Sequence, residues 1–115
     1  MKNNLSNKVQ LIGRLGLDPE VKEVTGKRKV ARMNLATSEE YYNKAGEKVK
    51  ETQWHRLVAW DALAEICEKY ITKGQEIAVE GKLEYRVYTD KDNVKHFITE
   101  VIISELLIIS NRKAS

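Results

Sequence analysis

Trp54 and Arg56 stand two residues apart, and so do Arg86 and Tyr88. Successive side chains of an extended strand point to opposite faces, so each pair shares one face. A flat ring beside a guanidinium suits a particular kind of partner. The ring stacks on the π-face of any nucleobase, worth about 1–3 kcal/mol per base, without reading its identity. The guanidinium neutralises a phosphate or makes a cation–π contact. Trp60 continues the parity of Trp54 and Arg56 at the end of the same segment. Burial of both tryptophans in a core is the competing reading; the arginine neighbours favour a binding surface. A second group, Tyr41, Tyr42, Lys44, Lys48 and Lys50, is diluted by Glu39, Glu40, Glu47 and Glu51. It reads either as an aromatic and cationic arm over a bound polymer or as a solvated hairpin tip.

The elements that must position these residues are mostly strands. Lys8 to Ile12 opens a first strand, with Gly13 and Gly16 as signs of a bulge or sharp bend. Asp18-Pro19 signals a turn. Lys29 to Ser38 alternates Arg32 and Asn34 against Ala31, Met33 and Leu35, the period of a half-buried second strand. Thr52 to Ala59 forms a third strand and Gln75 to Tyr88 a fourth. In the fourth, Ile77, Val79, Leu83, Tyr85 and Val87 are assigned to the core, and Glu80, Lys82, Glu84, Arg86 and Tyr88 to the outside. Asp90 to Asn93 is a hairpin tip, and Lys95 to Ile103 returns as a fifth strand. Leu106 to Ile109 extends or caps the sheet. One helix intervenes: Asp61 is its expected N-cap, Leu63, Ile66, Cys67, Tyr70 and Ile71 its apolar stripe, and Gly74 its stop. Three strands, a helix and two strands fit an all-β, five-stranded OB-fold barrel with one α-helix between strands three and four. Such closure removes the edge strands that an open sheet would expose.

Composition bounds the rest. A chain of 115 residues holds one domain, expected over residues 1–110, with 111–115 a short basic end. Net charge is only +3, from 20 basic and 17 acidic side chains. The basic residues are unevenly placed: 22–32 carries Lys22, Lys27, Arg28, Lys29 and Arg32 against Glu23 alone. The run Lys27-Arg28-Lys29 reads as a solvated turn that contributes to the field. The single cysteine, Cys67, excludes an internal disulfide and a multi-cysteine metal site, and its place on the helix stripe makes it an inert core thiol. No apolar run is long enough for a membrane span or a secretory signal, so a cytoplasmic protein is expected. HExxH, P-loop, Gly-x-Ser-x-Gly and Cys-x-x-Cys motifs are absent. Neither catalysis, nor a cofactor, nor a metal is expected.

Several stretches together resemble one family. Asn7-Lys8-Val9-Gln10-Leu11-Ile12-Gly13-Arg14-Leu15-Gly16 with Asp18-Pro19-Glu20 is similar to the opening of bacterial single-stranded-DNA-binding proteins. Leu35-Ala36-Thr37-Ser38-Glu39, Thr52 to Val58, Leu63-Ala64-Glu65, Tyr70 to Gly74 and Val79-Glu80-Gly81-Lys82-Leu83 follow in the family's order. The resemblance covers roughly residues 5–103. It implies an OB-fold that assembles as a homotetramer and wraps single-stranded DNA in replication, recombination and repair, in the bacterial cytoplasm at the nucleoid. The alternative is a replication-restart adaptor on the same fold, acting mainly through protein contacts. The residues alone do not separate DNA from RNA; the resemblance favours DNA.

The family's stacking aromatics fall on Trp54, Trp60, Tyr88 and Tyr41. Phenylalanine is frequent at Trp60, and tryptophan at Tyr41 and Tyr88. Its basic contacts fall on Lys8, Lys44, Lys50, Arg56 and Arg86, and Arg14, where asparagine is common, adds a phosphate contact. His55 matches a subunit-interface position; a lone strand histidine in the core would be buried similarly. Relatives continue into a flexible linker and an acidic tip that recruits partner proteins. This chain ends Ile109-Ser110-Asn111-Arg112-Lys113-Ala114-Ser115, so recruitment through such a tip is not expected, whether the chain is truncated or naturally tailless.

Overall fold

In this computed structural model, which describes residues 6–109, six strands and one helix follow in order. They are β1 (Val9–Leu15), β2 (Glu20–Val24), β3 (Arg28–Tyr42), β4 (Lys48–Trp60), α1 (Ala62–Tyr70), β5 (Glu76–Thr89) and β6 (Lys95–Ile108). Five of the strands close a barrel in the order β1-β5-β6-β4-β3, and β3 returns to β1 through Arg14↔Ala36 and Leu15↔Leu35. β4 and β6 run parallel, with Leu57 opposite Val101 and Val58 opposite Ile102. The expected OB-fold barrel is therefore present.

β2 is an additional strand that the alternation did not reveal. It lies along β3 from Glu20↔Arg32 to Val24↔Arg28. Four of its five side chains are exposed, so it shows no apolar period. The helix consequently follows the fourth strand of the chain and the third of the barrel. The expected basic end, 111–115, lies outside the described residues.

Inward positions of the strands make the core: Ala31, Met33 and Leu35 on β3, Leu57 and Ala59 on β4, Ile77 and Val79 on β5, Val101 and Ile103 on β6. α1 packs Ala64 and Cys67 into the same core, followed by Ile71. The apolar stripe is thus narrower than expected, since Ile66 and Tyr70 are exposed. Burial pushes the Cys67 thiol up to about 11, as expected of an inert core cysteine. Asp61 does not cap the helix with its side chain. That carboxylate is instead taken by Arg28, whose Nη2 donates to Oδ2 at 2.8 Å.

Gly13 does not mark a bulge. A Cβ there would collide with the Ala36 carbonyl, so glycine lets β1 approach β3 where the barrel closes. The irregularity falls between Glu80 and Gly81, in the β5–β6 register. Beyond it, the hairpin formed by β5 and β6 runs out past the barrel. Tyr85 and Val87 keep the inward parity, yet Tyr85 is 73% exposed and Val87 and Phe97 are exposed with it. The assignment of Tyr85 and Val87 to the core is corrected: the sheet continues where the core has ended.

Candidate nucleic-acid interface

The outward face of β3 and β4 is set by their register. Ala36 stands opposite Trp54, Asn34 opposite Arg56, Arg32 opposite Val58 and Val30 opposite Trp60. Trp54 is 62% exposed, which settles its position against core burial. Its indole lies over Gly16, on the segment after β1, where a side chain would have met the ring. Arg56 is exposed beside it and, among the described residues, forms no ion pair. Its guanidinium is free for a ligand.

Trp60 is only partly buried. Its cation is Arg28, whose guanidinium carbon lies 4.5 Å from the ring centroid. Arg28 is tied down in turn by Asp61, which holds the arginine more firmly protonated by hydrogen bond and charge. The run Lys27-Arg28-Lys29 therefore supplies more than a diffuse field: Arg28 lies against the Trp60 ring.

On the other side of the face, β5 and β6 bring Arg86 opposite Ile98 and Tyr88 opposite His96. Tyr88 stacks on His96 with ring centroids 4.8 Å apart and planes 16° from parallel. His96 Nε2 lies 2.7 Å from Asp90 Oδ2, and this bond, with backbone N–H groups of the hairpin tip, keeps Asp90 below the usual carboxylate range. One side of the Tyr88 ring is thus backed by a fixed partner, and the ring remains exposed to stack on its other side. A groove of about 350 Å³ between the two halves of the face is lined by Arg32, Asn34, Arg56, Arg86, Ile98 and Glu100, among others.

The remaining residues lie further off. The segment read as an arm or a tip is a hairpin, with β3 running to Tyr42 and β4 starting at Lys48. Asn43 Oδ1 holds its turn by accepting from the N–H groups of Ala45 and Glu47, each at 2.9 Å. Lys44 is in this turn, and Lys50 stands opposite Glu40. Tyr41 has the parity of His55, opposite to that of Trp54. Tyr42, absent from the expected set of contacts, has the parity of Trp54 and is 72% exposed. Lys8 pairs with Glu80 at 3.4 Å, six residues before Arg86 on β5, or about 20 Å along a strand. The Arg14 Nη1 donates to the Gly74 carbonyl at 3.0 Å. His55 is half-buried, with Nε2 at 2.8 Å from Thr37 Oγ1.

The sequence matches the model of the single-strand binding protein family over residues 6–109. The chain belongs to that family. It is 40% identical over 104 residues to Single-stranded DNA-binding protein 1 of Chlorobaculum tepidum, covering 90% of this chain and 64% of the relative. The chain thus spans under two thirds of that relative's length. Among solved structures it is similar to a Plasmodium falciparum SSB in complex with ssDNA, with TM-score 0.84 and 35% identity over 96% of this chain and 100% of the other. It is also similar to a deletion variant of the single-stranded DNA binding protein from Thermus aquaticus. There the TM-score is 0.80 and the identity 28%, over 92% of this chain and 51% of that one. Of the residues expected from the resemblance, Trp54, Arg56, Arg86 and Tyr88 stand on one outward face by register, whereas Tyr41 has the opposite parity and Lys8, Arg14, Lys44 and Lys50 lie further off.

Proposed function

We propose that this chain binds single-stranded DNA with little sequence preference, and protects it in replication, recombination and repair. The observation that carries the reading is the shared outward face of Trp54 and Arg56, with Arg86 and Tyr88 across the groove. Rings stack on successive bases and arginines neutralise the phosphates between them. A duplex hides its base faces, so the same surface discriminates against it. Trp60, Lys8, Arg14, Lys44 and Lys50 extend the path beyond the groove, and Tyr41, on the opposite parity to Trp54, would meet the strand on another face.

The working form in this reading is a homotetramer, with His55 at a subunit interface. Apolar side chains outside the barrel support assembly: Ile12 and Leu107 are exposed on the β1–β5–β6 face. Light scattering with and without a long poly-thymidine oligonucleotide tests both parts. A mass of four chains, rising further on adding the oligonucleotide, is expected. A monomer overturns the tetramer, and a tetramer whose mass the oligonucleotide leaves unchanged overturns DNA binding. No helix of the described residues is long and apolar enough to cross a membrane.

A further inference from the structure

Glu100 is an odd residue to find on a surface that meets phosphates. It stands on the outward parity of β6, 5% exposed, between two arginines. Arg86 reaches it from β5: Nε donates to Oε1 at 3.0 Å and Nη2 to Oε2 at 3.2 Å. Arg32 reaches it from β3, and its Nη1 donates to Oε2 at 2.9 Å. The sheet order is β3-β4-β6-β5, so the Arg32 side chain crosses β4 to arrive. Its cross-strand partner on β4 is Val58, which is 2% exposed although its parity is outward. The aliphatic stem of an arginine is suited to covering such a residue.

Resting on the single-strand reading above, we infer that Glu100 is a positioning residue. It ties Arg32 and Arg86 into a fixed pair of guanidiniums that seats a backbone phosphate of the bound strand, and this makes Arg32 a further phosphate contact. A free surface arginine loses side-chain entropy when a ligand fixes it. Here the fixing is done before the ligand arrives. A guanidinium has five N–H donors; Arg86 spends two on Glu100 and Arg32 one, so most remain for a phosphate. Arg56 faces the same groove and, among the described residues, has no ion pair of its own. The opposing view is that Glu100 only repels the polyanion. The two views predict opposite signs for one substitution.

The test is a tryptophan-fluorescence titration with a poly-thymidine oligonucleotide across a salt series. Glu100→Gln keeps the shape and removes the charge. Positioning predicts about threefold to tenfold weaker binding at low salt, with the log–log salt slope shallower by about 0.7 for each phosphate that is no longer neutralised. With Arg32 and Arg86 both replaced by Met, the same change has no guanidinium to release and is expected to tighten binding slightly. Tighter binding by Glu100→Gln alone, or an equal effect in both backgrounds, overturns the inference. If Glu100→Gln does not fold, Arg32→Met at its solvent-facing position decides. Weaker binding with a shallower slope supports the inference, and unchanged affinity and slope overturn it. An unaltered chain that fails to bind overturns the single-strand reading itself. A chain that binds and keeps its affinity and salt slope through both single substitutions overturns this inference alone.

Discussion

The Trp54 ring rests on the backbone at Gly16, so closely that a Cβ there would stand 2.6 Å from Cζ3 and 2.8 Å from Cη2. The glycine therefore sets where an exposed stacking ring can lie. Gly16→Ala is expected to displace the indole while leaving the barrel intact, because the ring is the far end of an exposed side chain. Oligonucleotide affinity should fall by about threefold to tenfold, part of the 1–3 kcal/mol a stacked base contributes. Fluorescence titration of the variant checks this, with its urea midpoint confirming the fold.

Trp54→Ala should separate binding from stability. An exposed ring contributes little to the core, so the stability change is expected to stay within about 1 kcal/mol. Loss of one base stack should weaken single-strand binding by roughly fivefold to a hundredfold. By contrast, Leu35→Ala empties a fully buried position and should cost about 2–5 kcal/mol. Chemical denaturation of both variants gives the comparison.

Acid should erase the contribution of Glu100. Burial pushes its carboxyl up, but the hydrogen bonds and charge of Arg86, together with Arg32, outweigh this and hold it below the usual carboxylate range. A carboxyl that is lower in the folded chain binds fewer protons there. Its stabilisation is present above the unfolded glutamate value of about 4.3, and it is lost as pH falls through the folded value. The stability gap between the unaltered chain and Glu100→Gln is expected to be steady near neutral pH and to narrow as pH falls below that range. Urea unfolding at a series of pH values measures it, and a gap indifferent to pH would contradict the assignment.

Cys67 offers a stability readout. Its side chain is fully buried and its thiol is pushed up to about 11, so a thiol reagent should reach it only through opening of the fold. Labelling at mildly alkaline pH is expected to be slow in the native chain and to accelerate in Leu35→Ala. Rapid labelling of the native chain would place Cys67 outside the core.

Much of the barrel was legible because its walls have one wet and one dry face. Alternation around Met33 and Leu35, and around Ile77 and Val79, marked strands and faces together. It failed where both faces are wet. Residues 39–42 and 48–51 extend β3 and β4 into a solvated hairpin, so neither shows a period. The parity of Tyr85 and Val87 follows from the alternation, but their exposure does not, because parity fixes a face and not how far the core reaches along it. Among the candidate site residues, the shared face of Trp54 with Arg56 and of Arg86 with Tyr88 is legible from spacing two. Arg32 and Glu100 were not, since they meet only when β3 and β6 are brought to either side of β4. The basic run at Arg28 gave a weak signal of its role, which depends on the register that sets Trp60 nearby.

In the proposed reading, exposed rings and arginines on one barrel face hold single-stranded DNA. Such binding is tested most directly by titrating intrinsic tryptophan fluorescence with a poly-thymidine oligonucleotide at increasing salt, with duplex DNA as competitor. Quenching at low salt is predicted, with a log–log slope of about −0.7 for each phosphate neutralised, and with duplex a poor competitor. Absence of quenching at low salt, or duplex competing as well as the single strand, would contradict it.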